Sequence, residues 1–345
     1  MGATEGCFAS DSGTPDGSGV TNHVTYNLDA DTKVANALFT PYISKDQSGY
    51  TAAFQNVTIN SEEPLNLKVP QFQFAQGQFQ TTFVVPEDST LTLNNVNVTV
   101  EPGNTLDNIG TISMDDDSKL TVASGATVSN AGTIQGTVDG TVSQYAARAN
   151  GVGYTTLQGA IDATTDSTII LLKNVDENVT IPTGSNITLD LNGFTLNGGT
   201  ASGKAALTNY GTVVIRDSSK DQTGTIKRAE NGETSAYYVL DNHGVMSIES
   251  GNIYNNSGDN KNGASLVRNI GTNSSLATLN ISGGTLQQDN FIAVKNDDYG
   301  TLNISGGKII SKNNQAVQNW NEAEVTGGQM TGNVITWSYT EVPNN

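Results

Sequence analysis

The side chains with the best claim to chemistry in this chain sit beside a recurring bend. "DNHG" places Asp241 two residues before His243 and is the nearest approach to an acid–base pair. A positioned base needs partners within hydrogen-bond reach, and "IKR" at 226–228 lies on the wrong side of the histidine. His243 is therefore expected to be an exposed bend residue, and no catalytic residue is assigned. Carboxylates cluster at "MDDDS" (Asp115, Asp116, Asp117) and "NDDYG" (Asp297, Asp298). Hard cations prefer such oxygens, and calcium is the one ion these runs would suit. Neither run has the spacing of a ligand loop, so solvated surface carboxylates, with no metal or other cofactor, are the expectation. Arg268, beside Asn269, is the nearest candidate base for a lyase.

The bend itself reads Asn or Asp, any residue, Gly. It occurs as "NIG" at 108, "NAG" at 130, "NYG" at 209, "NHG" at 242, "NIG" at 269 and "DYG" at 298, and closes with the glycine-free "NWNE" at 319. The middle residues include Tyr210, His243, Tyr299 and Trp320. Flat rings on one exposed edge stack on sugar rings, with Asn and Asp nearby to bond hydroxyls. These four are the candidate glycan-binding residues, and mutual packing of the rings is the competing reading. A column of this kind exists only if the tripeptide recurs at one place in a regular architecture.

The surroundings of the bends supply that architecture. "FIAVKNDDYGTLNISGGKIIS" (291–311) carries three short runs that alternate apolar and polar, separated by the bend and by "SGG". Alternation at period two bounded by Gly and Asn signals strands. Three strands in about 22 residues is one coil of a parallel β-helix, whereas propeller blades need four strands in about 40. The fold class is thus all-β, a parallel β-helix with three strands per coil. Equivalent residues of successive coils stack about 4.8 Å apart, so Asn108, Asn130, Asn209, Asn242, Asn269, Asp298 and Asn319 are expected to form a structural ladder of amide hydrogen bonds. Asn and Gly are also expected to suit a left-handed bend. Tyr299 and Trp320 then fall on adjacent coils, and the missing glycine of "NWNE" suggests a last bend with no successor.

Between Gln144 and Gly153 the β pattern stops. Thr155 stands three before Gln158 at capping-box spacing, and Leu157, Ala160 and Ile161 share one face of a short helix near 155–163 that covers the open end of the solenoid. The expected domains are 1–81, an irregular β-rich N-terminal attachment region; 82–143, a first β-helical segment; and 144–345, the capped β-helix. "YTTLQGAIDA", "TIILLKNV", "NVTIP" and "ITLDLNGFTLNG" resemble the capped start of pectate-lyase-like right-handed β-helix domains of Gram-positive surface proteins and phage proteins. The resemblance covers roughly residues 150–332. It implies a fold that hosts lyases, hydrolases, adhesins and phage fibres alike.

Composition narrows the function classes. With 16 basic against 34 acidic residues and a formal charge of −18, the chain repels phosphate backbones and anionic lipid; neither nucleic acid nor membrane is an expected partner. Cys7 is the only cysteine, which excludes an intrachain disulfide and a CxxC site. No signal peptide, long apolar run or sorting tail is read. The sequence therefore points to a non-enzymatic display protein, a phage virion fibre or decoration protein that binds glycans or host surfaces. It would sit at the virion surface and attach to capsid or cell-surface proteins through the N-terminal region. The resemblance implies a homotrimer. The alternatives are a bacterial cell-surface adhesin fragment and a polysaccharide lyase or glycoside hydrolase.

Overall fold

Along the strand Ala277–Ile281, residues 277, 279 and 281 are buried and Thr278 and Asn280 are not, the period-two pattern of a chain with one face in a core. Register repeats that pattern from coil to coil: Ile187, Val213, Met246, Leu279 and Leu302 lie in one row across parallel strands, each at most 1 % exposed. The structure, a computed structural model, describes residues 56–69, 81–228, 237–255 and 264–336, with the short strands Val24–Leu28, Ser44–Asp46, Gly49–Ala53, Gln73–Phe74 and Gly77–Gln78. Cys7, His23 and most of the expected irregular head lie outside the described residues.

The described residues of 146–150 and 154–336 form one compact unit. Three parallel ladders build it. The first face comprises Asp166–Leu171, Asn186–Asp190, Thr212–Arg216, Val245–Ile248, Ala277–Ile281, Gly300–Ile304 and Glu322–Val325. The second comprises Val175–Asp176, Thr195–Asn197, Thr225–Lys227, Asn252–Asn255, Thr285–Gln288 and the start of Lys308–Asn319. The third comprises Val179–Ile181, Leu207–Asn209, Leu240–Asn242, Val267–Asn269, Val294–Asn296 and the end of Lys308–Asn319. This is a parallel β-helix of three strands per coil, with a single apolar core running through it.

The described residues up to 145, with 151–153, form the other unit, which has its own core. Its helical register begins earlier than residue 82, because Val57–Val69 pairs in parallel with Thr90–Val100. Val57, Ile59, Leu65 and Leu67 are buried. "SEEP" between Asn60 and Leu65 shifts the register, and that insert hides the alternation from a sequence reading.

The amide ladder forms at the bend between the third and first faces. Nδ2 of each rung donates to Oδ1 of the next: Asn209 to Asn242 at 2.8 Å, Asn242 to Asn269 at 2.7 Å, Asn269 to Asn296 at 2.7 Å and Asn296 to Asn319 at 2.6 Å. The separations along the chain are 33, 27, 27 and 23 residues, so insertions between strands leave the ladder unchanged. Asn296 is the rung, not Asp298 as the tripeptide suggests. The bend "NDDYG" is two residues longer than the others, and Asn296 Nδ2 reaches the Gly300 carbonyl four residues on. A carboxylate at a rung would have no proton to donate upward. In the first unit Asn108 donates to Asn130 at 2.7 Å and Asn130 to Gln144 Oε1 at 2.9 Å.

The bend glycines serve close approach rather than a left-handed backbone. Gly132, Gly211 and Gly244 are absent from the positive-φ positions, as are the ladder asparagines. A Cβ on Gly244 would lie 2.2 Å from the Gly211 carbonyl oxygen, and one on Gly132 2.0 Å from that of Gly110. At Gly132 and Gly244 the crowding atom belongs to the preceding coil, and at Gly271 to the following one, where a Cβ would lie 2.5 Å from the Tyr299 carbonyl oxygen; lack of a successor does not explain Asn321 in "NWNE". A further strand in fact follows, with Asn319 in register with Thr336. Asn321 instead stacks on the lengthened bend and donates Nδ2 to the Gly300 carbonyl at 2.9 Å.

The helix spans Leu157–Ala163 and buries Leu157, Ala160 and Ile161. It packs against Val179–Ile181, Ala147–Ala149 and Asp166–Leu171, the first strands of the solenoid. Its N-cap is Thr156, whose hydroxyl accepts from the Gly159 N–H at 3.1 Å; the Thr155–Gln158 capping box is not used. Glu177 instead accepts from the N–H groups of Leu157 and Gln158 at 2.8 and 3.0 Å, satisfying first-turn donors with a charge the helix dipole favours. At the far end Glu322–Val325 is exposed throughout.

The ladder geometry predicts that Gly244→Ala, which forces a backbone clash, lowers stability by about 2–3 kcal/mol. Asn321→Gly should cost about 1 kcal/mol or less. Urea midpoints at constant m-value test both, and equal shifts would refute the close-approach account.

Candidate functional site

Outward residues of the third face form a column set by register: Thr208, Asp241, Arg268, Lys295 and Gln318. Asp241 is 2 % exposed although it points away from the core, because its neighbours close over it. Arg268 donates Nε to Asp241 Oδ1 and Nη2 to Oδ2, each at 2.7 Å. His243 Nε2 lies 3.3 Å from Oδ1, and Tyr237 Oη donates to Oδ2 at 3.1 Å. The guanidinium carbon also stands 4.4 Å from the Tyr238 ring centroid, a cation–π contact.

Charge follows from that geometry. Burial works to raise the Asp241 pKa, but hydrogen bonds from His243 and Arg268 outweigh it and hold the carboxyl below its ordinary value. Burial likewise opposes charge on Arg268, and the bonds and charge of Asp241 reverse the sign, raising its proton affinity further. Tyr237 is pushed up by burial and by Asp241. Arg268, the sequence's nearest candidate base, is thereby locked as a cation, and Asp241 as an anion. Neither is poised to exchange a proton near neutral pH.

The four ring positions do not form one continuous column. Tyr210 and His243 stack with centroids 4.9 Å apart and planes inclined by 16°, so each covers a face of the other. The next positions are Ile270, Asp297 and Trp320, marked by N–H bonds to Asn242, Asn269 and Asn296 carbonyls. Trp320 thus follows Asp297 in the column rather than Tyr299. Tyr299 lies on the adjacent coil but in the inserted part of the long bend, at φ 57° and 45 % exposed. Trp320 is half-buried.

Two surface concavities accompany these residues. One, about 350 Å³, is a trough on the second face lined by Thr195, Thr225, Lys227, Asn252, Tyr254 and Thr285 together with Gln287. The other, about 550 Å³, lies on the third face beside Tyr237, Tyr238, Arg268 and Lys295. Sequence reading missed both, since their residues are outward strand positions whose alignment appears only once register is known. Among the described residues no group of three or more His, Cys, Asp or Glu converges as a cation site would require. Both oxygens of Asp115 accept from the Asn95 N–H, and Asp297 pairs with Lys295 at 3.1 Å.

The Asp241–Arg268 pair predicts a measurable acid limb. A lowered folded-state pKa contributes stability that is full above the unfolded carboxylate value and lost as pH falls through the folded one. Arg268→Gln should cost about 3 kcal/mol at neutral pH by stranding a buried carboxylate. The Asp241→Asn, Arg268→Gln double variant should lose the pair's share of the acid limb. Urea midpoints from neutral pH to about pH 3 check both expectations.

Comparison with protein-family models, with curated proteins and with solved structures found no match.

Proposed function

We propose that this chain is a non-enzymatic display protein that binds glycans on its solenoid surface, in the setting of a phage virion. The observation that carries this reading is the second-face trough. Thr195, Thr225, Asn252 and Thr285 stand in one row and Lys227, Tyr254 and Gln287 in the next, each residue presenting a hydroxyl, amide or ammonium. Such groups bond sugar hydroxyls, and the Tyr254 ring offers apolar area beside them. The described lining contains no carboxylate, and glycoside hydrolysis usually works with a pair of them. The locked Asp241–Arg268 pair favours the same reading over a lyase or hydrolase. Attachment of the N-terminal region to a capsid or cell-surface protein, and trimerisation, belong to this proposal.

Against a panel of neutral oligosaccharides, wild type should bind at least one. Tyr254→Ala and Thr285→Ala should each weaken that binding about tenfold or more, on the scale of a lost stacking or hydrogen-bond anchor, with thermal midpoints little changed. Release of reducing or unsaturated ends from any polysaccharide would overturn the non-enzymatic reading. Unchanged binding in both variants would remove the trough. Imaging of particles that carry the protein tests the virion setting.

A further inference from the structure

We propose that the third-face depression binds the carboxylate of an acidic sugar, received by Arg268 and Lys295. The inference rests on the glycan-binding reading but concerns a different place from the trough. Its starting point is an electrostatic anomaly in the register. Described strands set charge directly on charge at three places: Asp190 with Arg216, Asp241 with Arg268, and Arg268 with Lys295. The first two are opposite in sign, and both form ion pairs. The third sets two cations on neighbouring strands, an arrangement that is destabilising when side chains lie directly opposite.

Both cations have carboxylate partners, and both partners lie outside the depression's lining. Asp241 holds Arg268 by Nε and Nη2, which leaves Nη1 outside that bidentate pair. Asp297 holds Lys295 from the bend. The lining of the depression therefore includes two cations and no carboxylate, in a chain whose overall charge is −18. An anion seated here would relieve the repulsion between Arg268 and Lys295 and meet donors already fixed by Asp241, so little ordering entropy is lost. The rest of the lining describes what carries that anion. Tyr238 and Phe291 supply apolar ring surface, and Asn314 and Gln318 supply amides at the level of hydroxyl or N-acetyl groups. A single carboxylate on a sugar matches this set; a polyanion would meet the repulsion of the whole chain.

Titration calorimetry with two acids separates the possible sources of that carboxylate. The probes are a sialylated trisaccharide against its neutral lactose core, and a trisaccharide carrying one hexuronate against its carboxyl-reduced form. At least one acid should bind about tenfold more tightly than its neutral counterpart, a difference of about 1.4 kcal/mol. Lys295→Gln should abolish that preference while leaving the thermal midpoint unchanged or raised. Equal affinity for acid and neutral forms, or a preference that survives Lys295→Gln, overturns the inference. If Tyr254→Ala removes acid binding and Lys295→Gln does not, the acid sits in the trough; the site is refuted and the glycan reading stands. Neutral binding at the trough without acid binding refutes this inference alone, and no binding of any saccharide refutes both.

Discussion

Everything in the second unit depends on one spacing, the roughly 4.8 Å between hydrogen-bonded strands. Parallel pairing at that distance forces each side chain to live with its counterparts above and below. Asparagine satisfies the condition at the bend because a primary amide has both a donor and an acceptor, so identical residues can bond one to the next indefinitely. Burial makes the bond obligatory: Asn209, Asn242, Asn269 and Asn296 are inaccessible to water, and an unsatisfied amide there would cost about 1–3 kcal/mol. The ladder tolerates coils that differ in length by ten residues because it constrains only the rung, and loops absorb the rest.

The same spacing explains what could and could not be read from the sequence. Periodicity, the three strands per coil and the helix with Leu157, Ala160 and Ile161 inward were legible because each is a local pattern repeated in register with burial. Asp298 was misassigned because a tripeptide match fixes the glycine end of a bend and not its asparagine end; the two-residue insertion before Gly300 is visible only when Asn269 is paired with Asn296. The role of the bend glycines was also misattributed. A sequence presents glycine as conformational freedom, while the structure uses it for the space a missing Cβ leaves against an adjacent coil's carbonyl. The Thr156 cap and its Glu177 partner were hidden for a related reason, since the acid that satisfies the helix start lies a coil-length away in sequence.

Candidate sites were the least legible part, and stacking is again the cause. Rings in equivalent positions 4.8 Å apart present their faces to one another, as Tyr210 and His243 do, which leaves mainly edges for a ligand. Concave surface on this scaffold lies outside the stacked bends, on outward strand positions. Both concavities meet that description, and neither is announced by a motif. "SAYYVLDN" contains the aromatic pair that flanks Arg268, yet nothing in it predicts that Tyr237 and Tyr238 approach a residue in "LVRN".

Charge is the property that stacking tolerates least. Unit charges about 5 Å apart interact by about 3 kcal/mol at an effective dielectric near 20, comparable to a sizeable part of a domain's net stability. Opposite charges on successive strands turn that energy to advantage, as at Asp190 with Arg216 and Asp241 with Arg268. Like charges must each find a separate counterion, and Lys295 does so by reaching Asp297 on the bend. The arrangement leaves Arg268 and Lys295 held apart from behind and open in front, beside Tyr238 and Phe291. An apolar or amide residue at 295 would have avoided the repulsion without disturbing the core, because the position points outward and the inward register is carried by Val294. The core therefore does not require the lysine, whose contact within the fold is the ion pair with Asp297 on the bend.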